Sequence, residues 1–321
     1  MQSLTFRCAD INSEFCPCLL AETNHCVFCS KLQGKPLCEC EWPGVCVYYE
    51  KYWRDKEASR RAEAAGRATE KAAITRKEQV GERTYLFEFA VSEGLAHRLA
   101  PLGSFVFLRC ENDPDCAHFP VGVMRAKDGK VLVAVEAVGA KSSRLILSGD
   151  GHAMLRGPYF NGVLGKPWIE NLSGGSAVVI AGGIGQAPAL PIIEALLAGG
   201  NRVRAILAPG KVGSVFVREM LNGAAVELHA VDSLRKDGFT LLKQYLQEEP
   251  DLLVSAGPDA QHAGVIRFMN AHGRDLPMAA TNNATMCCGE GICGSCHKLT
   301  QDNKTVKLCK AQIDFQQILQ E

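Results

Sequence analysis

The chain has 321 residues, enough for two or three packed domains, and its 35 Lys and Arg balance 35 Asp and Glu. A neutral balance gives no field for gathering nucleic acid or an anionic membrane, and no apolar run approaches the ~20 residues that cross a bilayer. Its 15 cysteines could suit a secreted disulfide scaffold. The odd number, the length and the acidic residues Asp10, Glu14 and Glu22 near the start point instead to metal thiolates in a reducing cytoplasm.

Eight cysteines fall in the first 46 residues (Cys8, Cys16, Cys18, Cys26, Cys29, Cys38, Cys40 and Cys46), and the next is Cys110. So abrupt a change marks a module boundary, and residues 1–47 form a Cys-rich unit. It has few large apolar residues to bury, so its order must come from metal binding. All-sulfur ligation selects iron–sulfur clusters or zinc, and the pattern leaves both open. Residues 48–72 then mix acidic and basic side chains over alanine. Glu50/Arg54, Glu57/Arg61 and Glu63/Arg67 stand four apart in the favourable order, which predicts a charged connector helix. Its aromatic start, Tyr48, Tyr49, Tyr52 and Trp53, would dock on the cysteine module.

Residues 73–163 read as a small antiparallel β-barrel. Polar and apolar positions alternate over 84–90, 104–108 and 131–135, punctuated by Pro101, Gly103 and Gly129. Gly139-Ala140-Lys141-Ser142-Ser143 looks like a strand end feeding a helix capped by Ser142. Free amides at that helix start, with Lys141 beside them, suit a pyrophosphate.

Residues 164–280 open with strand, glycine turn and helix: Ser176-Ala-Val-Val-Ile180, then Ala181-Gly182-Gly183-Ile184-Gly185-Gln186-Ala187-Pro188, then a helical pattern over 189–197. Glycines let the backbone approach a phosphate, and the helix N-terminus meets its charge. Further strands over 203–207, 225–229 and 252–256 alternate with helices expected over 215–221, 239–247 and 262–271, the signature of a parallel sheet. Ligands on such sheets lie beyond the carboxyl ends of the strands, where Gly182, Gly183, Gly185, Gly257 and Pro258 fall. Arg202, Arg204 and Lys211 near the second strand suit a 2′-phosphate or a solvated basic edge equally well, so NAD and NADP are not distinguished.

The tail, residues 281–321, carries Cys288-Gly-Glu-Gly-Ile-Cys293-Gly-Ser-Cys296, answered by Cys309. The spacing C-x4-C-x2-C-x12-C is the plant-type ligand set of a [2Fe–2S] cluster. Two irons need four thiolates, and three from one loop leave the fourth to a later strand. Gly289, Gly291 and Gly294 allow the loop to curl around the inorganic core and aim amides at sulfur. A zinc knuckle, the alternative, prefers two C-x2-C pairs. Cys287 is expected to point away from the cluster.

Barrel, nucleotide fold and [2Fe–2S] tail in that order resemble the ferredoxin–NADP reductase superfamily over residues 73 to 312, and within it the electron-transfer subunit of dihydroorotate dehydrogenase and its relatives. Gly157-Pro158 matches the family's Gly-Pro after the flavin domain, Ala181 through Pro188 its nicotinamide loop, Gly257-Pro258 its later Gly-Pro, and the four tail cysteines its cluster. The resemblance implies FAD on the barrel, held by Pro120, Val121, Gly122, Val123, Gly139, Lys141, Ser142 and Ser143. It also implies NAD(P)H over Gly182, Gly183, Gly185 and Pro188, with electrons passing through the cluster to or from a partner flavoprotein, an iron–sulfur subunit or ferredoxin. No protein acid or base is needed. One departure stands out: the family has an arginine where this chain has Phe119 and a hydroxyl where it has Gly122. A lost arginine removes a charge-assisted bond of about 1.5–3 kcal/mol. The alternative is therefore a non-catalytic iron–sulfur scaffold with a degenerate flavin site.

Overall fold

The computed structural model describes residues 7–10, 67–291 and 293–318. Among the N-terminal cysteines only Cys8 falls there; Cys16, Cys18, Cys26, Cys29, Cys38, Cys40 and Cys46, with most of the connector helix, lie outside the described residues. Arg7–Cys8 is a short strand, β1.

A closed antiparallel barrel follows, built from β2 (Thr69–Gly81), β3 (Thr84–Ala90), β4 (Phe105–Cys110), β5 (Phe119–Lys127), β6 (Lys130–Glu136) and β7 (His152–Tyr159). The strands close in the order β2-β3-β6-β5-β4-β7. The alternation read in the sequence is the cause. Phe87, Phe89, Val106, Leu108, Val131, Val133 and Leu155 fill the inside, while their neighbours face outward. Two expectations are corrected here. The connector helix does not reach residue 72, because β2 already starts at Thr69 and pairs with β7, burying Ala72 in the barrel. A short helix, α1 (Glu93–Leu99), also fills a connection with no expected element; the Ser92 hydroxyl caps it by accepting from Leu95 N–H at 3.3 Å. A second helix, α2 (Ala140–Leu147), bridges β6 and β7.

The second layer system is a six-stranded sheet. Its strands are β8 (Val163–Leu164), β9 (Ser176–Gly182), β10 (Arg202–Ala208), β11 (Val226–Ala230), β12 (Leu252–Ala256) and β13 (Met278–Thr281), in the order β11-β10-β9-β12-β13-β8. All pairs are parallel except β13 with β8. The central strands β9 and β12 are buried along their length, as expected where both faces are covered. Helices α3 (Lys166–Asn171), α4 (Gln186–Ala198), α5 (Phe239–Gln247) and α6 (Asp259–Ala271) accompany it. The helix expected over 215–221 is not formed; only Glu219–Leu221 makes a single tight turn, with Val217 and Leu221 buried against the sheet. A run of seven residues interrupted by Gly213 and Gly223, both at positive φ, is too short to sustain α-helical turns.

The tail, with β14 (His297–Leu299), β15 (Thr305–Lys307) and β16 (Ala311–Gln312), packs into the seam between the two units. Its Met286, Cys296, Leu308 and Cys309 share one core with Phe105, Phe107 and Tyr159 of the barrel and Met278 and Ala280 of the sheet. Buried amides fasten it. Asn161 Nδ2 donates to the carbonyls of Leu308 and Ala311 at 2.6 and 2.9 Å, and Gln312 Nε2 donates to Asn161 Oδ1 at 2.6 Å.

Candidate functional site

The tail loop holds the site. Gly289, Gly291 and Gly294 all adopt positive φ, near 70–77°, which only glycine takes without strain. The loop thereby turns backbone amides inward. The N–H groups of Glu290 and Cys293 point at Cys288 Sγ, 3.3 and 3.5 Å away, the bonding a thiolate ligand receives from its surroundings. Leu308 N–H bonds to the carbonyl of Cys296 at 3.1 Å, which brings Cys309 up against the loop.

The sulfurs act on one another in two sets, Cys288 with Cys293 and Cys296 with Cys309; the Cys293 N–H bonds to Cys288 Sγ. The electrostatics follow. Burial alone would raise the Cys293 thiol, but bonds from Ser295 and Cys288 bring it down to about 6. The bond from Cys309 brings Cys296 down to about 7, while that same bond and burial drive Cys309 up. Two sulfurs in each pair are thus poised as donor and thiolate. A binuclear cluster has two irons, each taking two protein thiolates, and two sulfur pairs fit that donor set. Among the described residues, no group of three or more His, Cys, Asp or Glu side chains stands placed to hold a metal ion. Cys287 is exposed, and its carbonyl is held by His118 Nε2 at 2.7 Å.

The outer wall of the barrel leads to this loop. On β5, Val121 and Val123 point into the barrel core, so only Pro120 and Gly122 face outward; Gly122 has open space where a side chain would begin. Lys141 Nζ donates to the carbonyls of Cys116 and His118 at 2.7 and 3.0 Å, bracing the approach to β5. Ser142 caps α2 from its third position rather than as the N-cap: Gly139 is the N-cap and stands open, and the buried Ser142 hydroxyl accepts from Val138 and Gly139 N–H at 3.2 and 3.4 Å. Ser143 lines a cleft on the other flank of α2 with Cys110 and Arg144. Sequence reasoning missed Arg156. β4 pairs Phe107 with Pro120 on one side and Arg156 on the other, which carries this guanidinium to the row beside Phe119, where the family's arginine is lacking. It lies 5.0 Å over the Phe107 ring and 3.3 Å from His118 Nε2, and its buried Nε has no hydrogen-bond partner. No spacing rule reveals it, because the β4–β7 register decides it.

The glycine turn after β9 is assembled as strand, turn and helix. Gly182, Gly183 and Gly185 end β9, and a side chain on Gly185 would stand 2.3 Å from the carbonyl oxygen of Ala256, so this turn rests directly on the end of β12. Gly257 lies there too, its N–H bonded to Thr281 Oγ1 at 3.1 Å, with Pro258 capping α6. Pro188 occupies the first turn of α4, where no amide is needed. Gln186 Nε2 bolts the loop to the carbonyls of Ala208 and Ser214. Arg204 is neither a phosphate reader nor a solvated edge. It bonds to Glu227 and Glu248 at 2.9 and 2.6 Å and lies 4.6 Å over the Tyr245 ring. Lys211 is the basic residue beside the glycine turn, exposed and next to Gly210, whose backbone packs on Gly183.

Comparisons with known proteins bear on the fold and on the chain's relatives. A solved NADH-dependent reduced ferredoxin–NADP oxidoreductase superposes with a TM-score of 0.61 at 20% identity, over 77% of this chain and 89% of that one. The fold is that of the ferredoxin–NADP reductases. Homologues of this ferredoxin–NADP reductase-fold chain are named electron-transfer subunits of dihydroorotate dehydrogenase B: a probable one from Methanopyrus kandleri, 29% identical over 55% of this chain and 67% of its own, and a homolog from Thermotoga maritima, 26% identical over 70% and 78%. The chain spans about three fifths of the length of two other archaeal relatives that it matches. No family model matches it. Among the described residues, no helix is long and apolar enough to cross a membrane.

Proposed function

We propose that this chain is an electron-transfer flavoprotein subunit, moving electrons between NAD(P)H, FAD and a [2Fe–2S] cluster, to or from a partner subunit or ferredoxin. When bound, the flavin and the cluster would supply conversion between two-electron and one-electron chemistry. What the chain supplies is position. Cys288, Cys293, Cys296 and Cys309 would hold the irons, and the amides at Glu290 and Cys293 would stabilise thiolate charge. Pro120, Gly122 and the amides at Gly139 offer an open outer wall for a flavin, with Arg156 the nearby cation. The turn from Gly182 to Gly185, resting on Gly257, offers glycine backbone to a dinucleotide phosphate.

The observation that carries this reading is the glycine-curled cysteine loop, its amides aimed at Cys288 Sγ and the Cys309 turn bonded to it through Leu308, lying beside the barrel's outer wall and linked to it through His118 and Cys287. A metal in the 1–47 module would extend the relay. Anaerobic purification tests the whole. About two irons and two sulfides at the tail, one FAD, and bleaching by NADH or NADPH are expected. A protein carrying the cluster but no flavin supports the scaffold alternative instead, a reading that Val121, Val123 and Lys141 favour because their side chains are already committed.

A further inference from the structure

Asp10 and Arg67 bracket the segment 11–66 in sequence, and they meet in space. Arg67 Nη2 lies 2.8 Å from Asp10 Oδ1, and both side chains are almost wholly buried. They meet on the cluster segment. Arg67 also pairs with Glu290, between Cys288 and Cys293, and Lys310, the residue after Cys309, pairs with Asp10 and, at 3.1 Å, with Glu290. Backbone bonding continues the contact: β1 pairs with β16, Cys8 opposite Ala311, and Ala9 N–H bonds to the Lys310 carbonyl at 2.7 Å. Arg67 lies 4.4 Å over the Tyr159 ring as well, which fixes it against the barrel.

We propose that Asp10, Arg67, Glu290 and Lys310 form a charge clamp that closes both ends of the segment 11–66 on the iron–sulfur loop and holds Cys288 and Cys293 in register with Cys309. The physical argument is charge burial. Two cations and the Asp10 carboxylate taken out of water, with Glu290 one-third exposed at their edge, are tolerable only together, since loss of a carboxylate leaves buried cations uncompensated. Lys310 is 2% exposed and cannot swing out to solvent without dragging the turn that carries Cys309. Glu290 is the clamp's grip on the three-cysteine loop, and Lys310 its grip on the fourth ligand. Half of the clamp therefore comes from the N-terminal segment, and the ligand set is preorganised only when both ends of that segment are docked.

This rests on the reading that these four cysteines hold a cluster, so the test has two arms. In the full-length holoprotein under anaerobic conditions, iron release to bathophenanthroline is followed by visible circular dichroism. Asp10→Asn and Glu290→Gln are each expected to speed release at least fivefold, and Asp10→Glu to restore most of the wild-type rate. In the metal-free full-length chain, amide exchange is measured by mass spectrometry. Asp10→Asn is expected to raise exchange in residues 7–10 and 67–69 together, with barrel strands 84–90 and 130–136 unmoved. Unchanged release in both variants, or exchange that rises at one end only, overturns the clamp while the cluster reading stands. A wild-type chain that takes up no iron at the tail overturns both.

Discussion

A methyl group on Gly289 would stand 2.5 Å from Cε1 of Tyr159 and 3.0 Å from Cε2 of Phe107. The cluster loop thus lies directly on the aromatic pair that ends the barrel wall, with no room for a side chain between them. Gly289→Ala adds a second cost, because φ there is +70°. Steric overlap and left-handed strain together predict a loss of about 3 kcal/mol, read as a lowered thermal midpoint. The loop should also fail to retain iron. Combining Gly289→Ala with Tyr159→Leu should recover part of both; a double variant no better than the single one would place the fault in the backbone alone.

Stability should respond to pH through two buried groups of opposite sign. Burial lowers His262 to about 4, against a weaker pull from Asp259 and its bond to the Thr281 carbonyl. Its folded value lies below the unfolded one near 6.5, so the unfolded chain takes the proton first, and this contribution is lost as pH falls from 6.5 toward 4. Burial raises Asp314 to about 6, so the folded state holds that proton longer and is penalised as pH rises from 4 to 6. Each effect is at most about 3 kcal/mol, and the two nearly cancel in the wild type. Asp314→Asn, which keeps an oxygen for the Gln316 amide, should raise the thermal midpoint at pH 7 and not at pH 4. His262→Gln should be costlier at pH 7 than at pH 4.5. Melting curves across that range decide it, and parallel shifts at all pH values would contradict both assignments.

Arg204 makes a narrower prediction. Its pairs with Glu227 and Glu248 and its stacking on Tyr245 hold β10, β11 and α5 together. Arg204→Met should lower stability by about 1–3 kcal/mol, as expected when half-exposed carboxylates lose a partly buried partner. It should leave the ratio of NADPH to NADH reduction rates unchanged. Lys211→Ala, at the glycine turn, should leave stability unchanged and move that ratio. Steady-state rates with both nucleotides separate the two.

What the sequence made legible follows from how local each signal is. The strands over 84–90 and 252–256 and the helix over 239–247 fall where periodicity put them, because burial on a closed barrel or a two-sided sheet imposes strict spacing. The glycine turn after β9 was legible for the same reason, since strand, turn and helix lie within a short stretch. The rest depends on contacts distant in sequence. Arg67 seemed a helix-surface partner of Glu63, yet it reaches Asp10 and Glu290, 57 and 223 residues away. Ser142 does cap α2, but from the third position, because Gly139 is the N-cap. Arg204 suited a phosphate or a solvated edge equally until the β10–β11 register set it opposite Glu227.

Arg156 carries the last prediction. The family's arginine on the strand before Pro120 is absent, and Phe119 in its place packs against the barrel core. Register supplies a substitute from the far side of β4, where the Arg156 guanidinium is held over Phe107 and beside His118. Its buried Nε lacks a partner, a cost of about 1–3 kcal/mol that an anionic group on the outer wall would relieve. Arg156→Leu should therefore weaken flavin retention by roughly 10- to 100-fold, the worth of one charge-assisted bond. Removing an unsatisfied donor should meanwhile leave the flavin-free protein as stable as wild type, or slightly more so. Fluorescence titration of the flavin-free chain measures the first and thermal melting the second. If Arg156→Leu binds flavin as tightly as wild type, the cation on this wall plays no part in holding it, and the substitution at Phe119 is left uncompensated.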